Sequence, residues 1–188
     1  RLLVESSVRD TFLDKFLAYT KAHVLGDSRS SDTTVSPLIH MDHLARVDAF
    51  VQRAKTNGDR VMIGGRIWRE EGLWYEPTLI EPVSNESEIV QNEVFGPVLT
   101  LQTFDSEEEA IEIANDTPYG LAAYVQSGDL NRAERVAQKL RVGMVHINGG
   151  GFNYGSPFGG YKQSGNGREG GIIGIEDFQE VKTLHYPE

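Results

Sequence analysis

One short stretch of the sequence places a carboxylate, an aromatic ring and a Gly-Pro break side by side. Residues 92–98 read NEVFGPV, and a segment rich in β-branched and aromatic residues follows. The carboxylate is that of Glu93. A carboxylate just before a strand can accept hydrogen bonds from sugar hydroxyls, because each of its oxygens accepts two. The pattern therefore indicates a ligand-binding turn, and an ordinary structural turn is the alternative.

Three other groupings resemble functional sites less well. Residues 165–170 fit the G-x-G-x-x-G pattern of dinucleotide-binding loops, but the nearest predicted strand ends far upstream at Ile147, so we interpret these glycines as a tightly packed loop. His40 and His43 could share a metal ion, but no third ligand is evident, which favours surface or helix-capping roles and no metal site. The acids at 107–109 suit the start of a helix, where the helix dipole favours negative charge.

The composition excludes several functions. The 188 residues carry a net charge of −10 and include no cysteine. Without cysteine, the chain itself can supply no thiol nucleophile, disulfide or Cys-ligated metal. The negative charge argues against a general nucleic-acid binder, which needs clustered Lys and Arg. The apolar runs are far shorter than the roughly 18 residues of a membrane span, and residues 1–5 do not form a signal peptide. We therefore expect neither a nucleic-acid nor a membrane partner.

Hydrophobic periodicity predicts alternating strands and helices and hence an α/β fold. The segment 74–83 contains two prolines, so it is expected to be an edge or irregular strand at best. The run from 98 to 147 reads β-α-β-α-β, with helices long enough to cross between parallel strands. The predicted helices are 8–24, 42–55, 105–115 and 129–140, with a turn at 87–91, and the predicted strands are 1–5, 60–63, 97–104, 121–126, 142–147 and 181–185.

Four motifs resemble those of the NAD(P)-dependent aldehyde dehydrogenases. Residues 93–98 resemble the family motif E-(V or I)-F-G-P, and 115–121, reading NDTPYGL, are similar to its N-x-(T or S)-x-(Y or F)-G-L turn. Asn148 together with 157–169 is similar to the signature N…P-F-G-G-x-K-x-S-G-x-G-R-E, and 181–183 resemble the C-terminal V-K-T strand. The four motifs occur in the family's order along essentially the whole chain.

The resemblance implies roles for individual residues. Glu93 would accept hydrogen bonds from the nicotinamide ribose, and Phe95 would pack beside the nicotinamide. His43 and Arg46 stand where the family reaches the ribose with a Gln and a Lys or Arg, so His43 departs from the commonest pattern. In the loop 149–155, Phe152 would line the aldehyde tunnel. Phe158 would lie near the reacting carbon, and an ordinary core position is the alternative.

The resemblance also implies an architecture and a reaction. The fold would be an incomplete three-layer αβα domain with a mostly parallel sheet, with residues 1–175 in the catalytic domain and 176–188 as an oligomerisation strand. Family members oxidise aldehydes with NAD or NADP through a Cys thioester, and we expect a homo-oligomer (dimer or tetramer) in the cytoplasm. In the family's order, four parts precede the matched segment: the nucleotide domain, the oxyanion Asn, the Glu base and the Cys. No catalytic residue is therefore expected in this chain.

The isolated chain is accordingly expected to be inactive. The alternative is a non-catalytic fragment that acts in complementation, oligomerisation or ribose binding.

Overall fold

The structure is a computed structural model that describes residues 1–69 and 71–188. The described residues divide into two compact units, residues 1–110 and 111–188. The boundary expected at 175/176 remains a prediction. The strands are β1 (Leu2–Glu5), β2 (Arg60–Ile63), β3 (Thr78–Glu81), β4 (Val98–Phe104), β5 (Ala122–Val125) and β6 (Met144–Ile147). The helices are α1 (Arg9–Lys21), α2 (Met41–Asn57), α3 (Glu88–Gln91), α4 (Glu107–Asn115), α5 (Leu130–Lys139) and α6 (Ile173–Glu176).

The first unit contains a four-stranded sheet in the order β1-β4-β3-β2. The pairs β1–β4 and β3–β4 are parallel, and β2–β3 is antiparallel. Segment 74–83 was expected to be an edge or irregular strand. The edge position was wrong, because β3 lies inside the sheet, but its pairing with β2 is irregular, with a register shift between Val61 and Ile63. Its prolines, Pro77 and Pro82, flank the four paired residues, so no ladder N–H is lost.

The sheet of the first unit is covered on both faces, which confirms the three-layer α/β fold. Neighbouring residues of β3 point to opposite faces, as the alternation of a strand requires. Leu79 joins a cluster with Val4, Leu101 and Leu13 of α1. Ile80 joins the other cluster, which contains the buried faces of α2 and α3.

The second unit pairs β5 and β6 in parallel through the crossover helix α5, as predicted. The run β4-α4-β5-α5-β6 does not build one sheet, however, because β4 pairs with β1 and β3. Asp129 caps α5 as expected, since its carboxylate accepts the backbone N–H of Arg132 at 3.2 Å.

The strand predicted at 181–185 is not formed in the described structure. Residues 177–188 belong to no helix or strand, and Val181 is 97% exposed. A strand needs a neighbour for its backbone hydrogen bonds, and this segment finds none among the described residues. No described helix combines the length and the apolar character that crossing a membrane requires.

Candidate functional site

The turn that carries Glu93 and Phe95 is anchored by the valine between them. Val94 is 8% exposed and belongs to the core cluster beneath α2, whereas Glu93 and Phe95 are exposed. The Phe95 ring is 69% exposed, which is unusual for a large apolar side chain. The alternation therefore buries one residue and presents a carboxylate and an aromatic ring on either side of it.

Phe95 adopts a backbone conformation that side chains disfavour. Its φ is +55°, in the left-handed region that non-glycine residues seldom enter. The next residue, Gly96, lies directly against α2. A Cβ at Gly96 would stand 2.7 Å from Cγ2 and 2.9 Å from Cγ1 of the fully buried Val47. The turn thus combines a strained residue with a close backbone approach, a combination found mostly at functional positions.

Two side chains of α2 bind the backbone of this turn. The imidazole Nε2 of His43 lies 2.6 Å from the carbonyl oxygen of Phe95, and Arg46 donates from Nη2 to the carbonyl oxygen of Glu93 at 3.4 Å. The arginine also lies over the ring of Phe50, 5.8 Å from its centroid. The structure therefore brings all four sequence-predicted cofactor residues together. Contact of any of them with a ribose remains a prediction.

The start of α2 depends on a histidine. The His40 Nδ1 accepts the backbone N–H of His43 at 3.1 Å, so the capping role is confirmed. Farther along the helix, Asp48 accepts a hydrogen bond at 3.1 Å from the hydroxyl of Tyr75, a residue outside the helix that is 1% exposed. Burial, reinforced by the negative charge of Asp48, raises the pKa of Tyr75 far above its usual value. The tyrosine is therefore a neutral donor that supports the helix.

The groups at the turn fit a nicotinamide ribose. The structure gives the Glu93 carboxylate no hydrogen-bond partner among the described residues, so its acceptor sites are available to hydroxyl donors. The exposed Phe95 ring offers an apolar surface for a flat heterocycle.

The predicted substrate residues of the second unit also come together. The rings of Phe152 and Phe158 meet edge to face, with centroids 6.4 Å apart. Tyr154, which sequence reasoning did not single out, packs edge to face on Phe152 at 5.4 Å. Phe158 is 38% exposed and Phe152 is 50% exposed, so an ordinary core position does not describe Phe158. The only sequence signal for Tyr154 is an aromatic two residues after another in a glycine-rich loop.

Two of the family-like motifs pack against each other in the second unit. Lys162 donates from Nζ to the carbonyl oxygens of Asn115 and Thr117, at 2.7 and 2.9 Å. The Ser164 hydroxyl accepts the backbone N–H of Gly120 at 3.0 Å. A cation at the carboxyl end of α4 also matches the helix dipole. These motif residues hold the turn 115–121 and the loop after 157 in place.

The loop at 165–170 is a packed loop rather than a phosphate-binding loop. The Arg168 guanidinium donates to the carbonyl oxygens of Gly160 and Gly167, both at 2.9 Å, and lies over the ring of Tyr161. The backbone N–H of Arg168 donates to Asp177. The following helix, α6, begins only at Ile173 and has four residues. The cation and the amide that a phosphate would use are therefore engaged within the fold.

Comparison with known proteins identifies the family. The chain matches the model of the aldehyde dehydrogenase family over residues 1–184. It is 45% identical over 190 residues to the betaine aldehyde dehydrogenase of Bacillus subtilis, covering 98% of the chain and 39% of that relative. It is 41% identical over 188 residues to the 3-succinoylsemialdehyde-pyridine dehydrogenase of a Pseudomonas sp, again covering 98% of the chain and 39% of the relative.

Solved structures give the same result. The betaine aldehyde dehydrogenase of Staphylococcus aureus in complex with NAD+ matches with a TM-score of 0.89 and 40% identity, over 94% of the chain and 36% of that structure. A mutant of the P. syringae indole-3-acetaldehyde dehydrogenase with NAD+ and IAA matches with a TM-score of 0.91 and 40% identity, over 97% and 37%. The chain thus spans somewhat more than a third of the length of these relatives. With its motifs, fold and relatives in agreement, it belongs to the aldehyde dehydrogenase family.

Proposed function

We propose that the chain forms the C-terminal part of the catalytic domain of an NAD(P)+-dependent aldehyde dehydrogenase that oxidises an aldehyde to a carboxylic acid. The observation that carries the proposal is the turn at 92–97, which is held by α2 and presents Glu93 close to the strained Phe95. The relatives named above, two of them solved with NAD+, support it.

In this proposal each residue of the turn has a separate task. Glu93 accepts hydrogen bonds from the ribose hydroxyls and so fixes the sugar. The Phe95 ring limits the position of the nicotinamide, which takes up the hydride from the substrate when it is bound. Arg46 adds a positive charge beside the turn. Binding and orientation are thus the contribution of this chain to catalysis.

The chain by itself is proposed to have no dehydrogenase activity. The family reaction proceeds through a thiolate nucleophile, and the sequence contains no cysteine. Incubation of the 188-residue chain with small aldehydes and either NAD+ or NADP+ is expected to give no reduced cofactor above buffer. Sustained turnover would contradict this part of the proposal.

A hybrid enzyme tests the cofactor role directly. The chain replaces the matching segment of the B. subtilis relative. The two are 45% identical over 98% of the chain. We expect aldehyde-dependent NAD+ reduction by the hybrid, and Glu93→Gln is expected to raise KM for NAD+ about 10-fold, the effect of losing roughly 1.4 kcal/mol of hydrogen bonding. Glu108→Gln, in the exposed first turn of α4, is the matched control and should change nothing. An equal effect of the two variants would contradict the ribose role.

The aromatic cluster of Phe152, Tyr154 and Phe158 is proposed to contact the aldehyde. In the hybrid, Phe152→Ala is expected to raise KM for aromatic and long-chain aldehydes while KM for NAD+ stays the same. A change confined to KM for NAD+ would exclude this role.

The segment 176–188 is proposed as an oligomerisation strand, with complementation or oligomerisation as the alternative function of the chain. Its exposed apolar side chains, Val181 and Tyr186 among them, support an interface. Truncation to residues 1–175 is expected to reduce the number of subunits in the hybrid enzyme, measured from its mass in light scattering. An unchanged assembly would contradict the interface.

A further inference from the structure

We propose that His43 is a positioning residue for Phe95: it holds the backbone of the strained turn instead of binding the cofactor itself. The consequence for the nicotinamide rests on the proposed function, whereas the geometry of the clamp does not. The assignment starts from the 2.6 Å distance between His43 Nε2 and the carbonyl oxygen of Phe95.

That contact determines where the imidazole proton lies. A carbonyl oxygen can only accept, so Nε2 must carry the hydrogen. The other nitrogen, Nδ1, is buried and has no hydrogen-bond partner among the described residues. A hydrogen on Nδ1 would be a buried donor without a partner, which is unfavourable. The geometry therefore assigns the donor role to Nε2 and gives Nδ1 no hydrogen-bonding role among the described residues.

The clamp acts between two points of the turn that packing already fixes. The buried Val94 fixes the chain on one side of Phe95, and the contact of Gly96 with Val47 fixes it on the other. The Phe95 ring is mostly exposed and makes little contact that could set its direction. The hydrogen bond from His43 thus acts directly on the Phe95 carbonyl and adds a restraint that favours the strained orientation of the peptide group between Phe95 and Gly96.

The same contact makes a direct ribose contact by His43 unfavourable. Nε2 is committed to the carbonyl oxygen, and Nδ1 is buried. A hydrogen bond from His43 to a ribose hydroxyl would therefore require Nε2 to release the Phe95 carbonyl and with it the turn. Glu93, by contrast, keeps its carboxylate exposed.

Nuclear magnetic resonance on the 188-residue chain tests the clamp without any enzymatic activity. Long-range ¹H–¹⁵N spectra of the imidazole rings are expected to show His43 protonated at Nε2 and unprotonated at Nδ1. Because this measurement uses the unaltered chain, it remains decisive if a variant fails to fold. A proton on Nδ1, or rapid averaging between the two tautomers, would overturn the proposal.

Matched variants then show what the clamp controls. Gln can donate from its side-chain amide to the same carbonyl, whereas Leu cannot. His43→Leu is expected to move the ¹³Cα and amide shifts of Phe95 and Gly96 toward extended-backbone values, and His43→Gln is expected to leave most of them in place. His23→Leu is the control and should not affect either residue. Unchanged Phe95 shifts in His43→Leu would refute the clamp.

The hybrid enzyme supplies the functional readout. Misplacing the ring is expected to lower kcat about 10-fold in His43→Leu with little change in KM for the aldehyde, and His43→Gln is expected to recover most of the loss. A rise in KM for NAD+ alone, with unchanged kcat and unaltered Phe95 shifts, would indicate a direct ribose contact and overturn the proposal. The tautomer and shift measurements decide on the clamp even if the hybrid shows no dehydrogenase activity, so failure of the proposed function is separately visible.

Discussion

The contact between Gly96 and Val47 provides a quantitative test of how α2 holds the turn. A methyl group at position 96 would lie 2.7 Å from the nearest carbon of Val47, so turn or helix must yield by about 0.8–1.3 Å to reach a normal carbon–carbon separation. The backbone at Gly96 is not in the positive-φ region, so steric contact is the dominant effect of Gly96→Ala. Overpacking of this kind costs about 1–3 kcal/mol. Taking 2 kcal/mol, the melting temperature should fall by about 4–8 °C when the whole chain unfolds as one unit, and by more when the first unit unfolds alone.

A double-mutant cycle isolates the contact. Val47→Ala removes both offending methyl groups and should itself cost about 2–3 kcal/mol, from lost burial and a small cavity. In that background Gly96→Ala is expected to cost less than about 0.5 kcal/mol, which gives a coupling energy of at least about 1 kcal/mol.

Tryptophan fluorescence in urea is the appropriate assay for this cycle. The sequence contains two tryptophans, Trp68 and Trp74, and both lie in the first unit with the contact. Their signal therefore follows the unfolding of that unit without assuming that both units unfold together. Additive effects of the two substitutions, within about 0.3–0.5 kcal/mol, would refute the proposed packing.

Three further predictions concern other parts of the chain. Gly143→Ala places a Cβ directly against the carbonyl oxygen of Gly159 and should destabilise the second unit by more than about 3 kcal/mol in hydrogen-exchange mass spectrometry. The unhindered control Gly128→Ala should stay within about 0.5 kcal/mol, and equal exchange in both variants would contradict the packing. Burial alone would raise the pKa of Glu81, but hydrogen bonds from Arg9 and Arg60 outweigh burial and lower the pKa. In urea titrations, Glu81→Gln should therefore lower the free energy of unfolding by about 1–3 kcal/mol at pH 7, and by progressively less as the pH falls below 4.5. A difference that does not depend on pH would refute the ion pairs. Asp129→Ala should lower the protection of the α5 amides by about 1 kcal/mol while Asp129→Asn retains most of it, and an equal loss in both would exclude the cap.

Local sequence signals located most elements and failed where a partner strand decides the outcome. The predicted strand at 60–63 matches β2, and Asp129 caps its helix, because periodicity and capping act within a few residues. The prolines beside β3 suggested an edge position, but position in the sheet depends on which strands pair, and β3 lies between β2 and β4. The apolar pattern at 181–185 likewise carries no information about a partner, and no strand forms there.

The candidate site shows the same division. Glu93 and Phe95 could be selected from their motif, whereas the role of His43 could not. Its hydrogen bond joins residues 52 positions apart in the chain. The residue types alone do not reveal that Nδ1 of His43 lacks a hydrogen-bond partner among the described residues, or that the backbone of Phe95 is left-handed.

By itself, the sequence determined the family, most of the strands and helices, and the absence of a thiol nucleophile from this chain. These follow from motifs and periodicities that act over short stretches or depend on composition alone. Only the tertiary structure decided that β3 is an interior strand, that Gly96 lies against Val47, and that His43 holds the Phe95 carbonyl. Each of these depends on contacts between distant segments, and such contacts arise only when the sheet and α2 bury a common core.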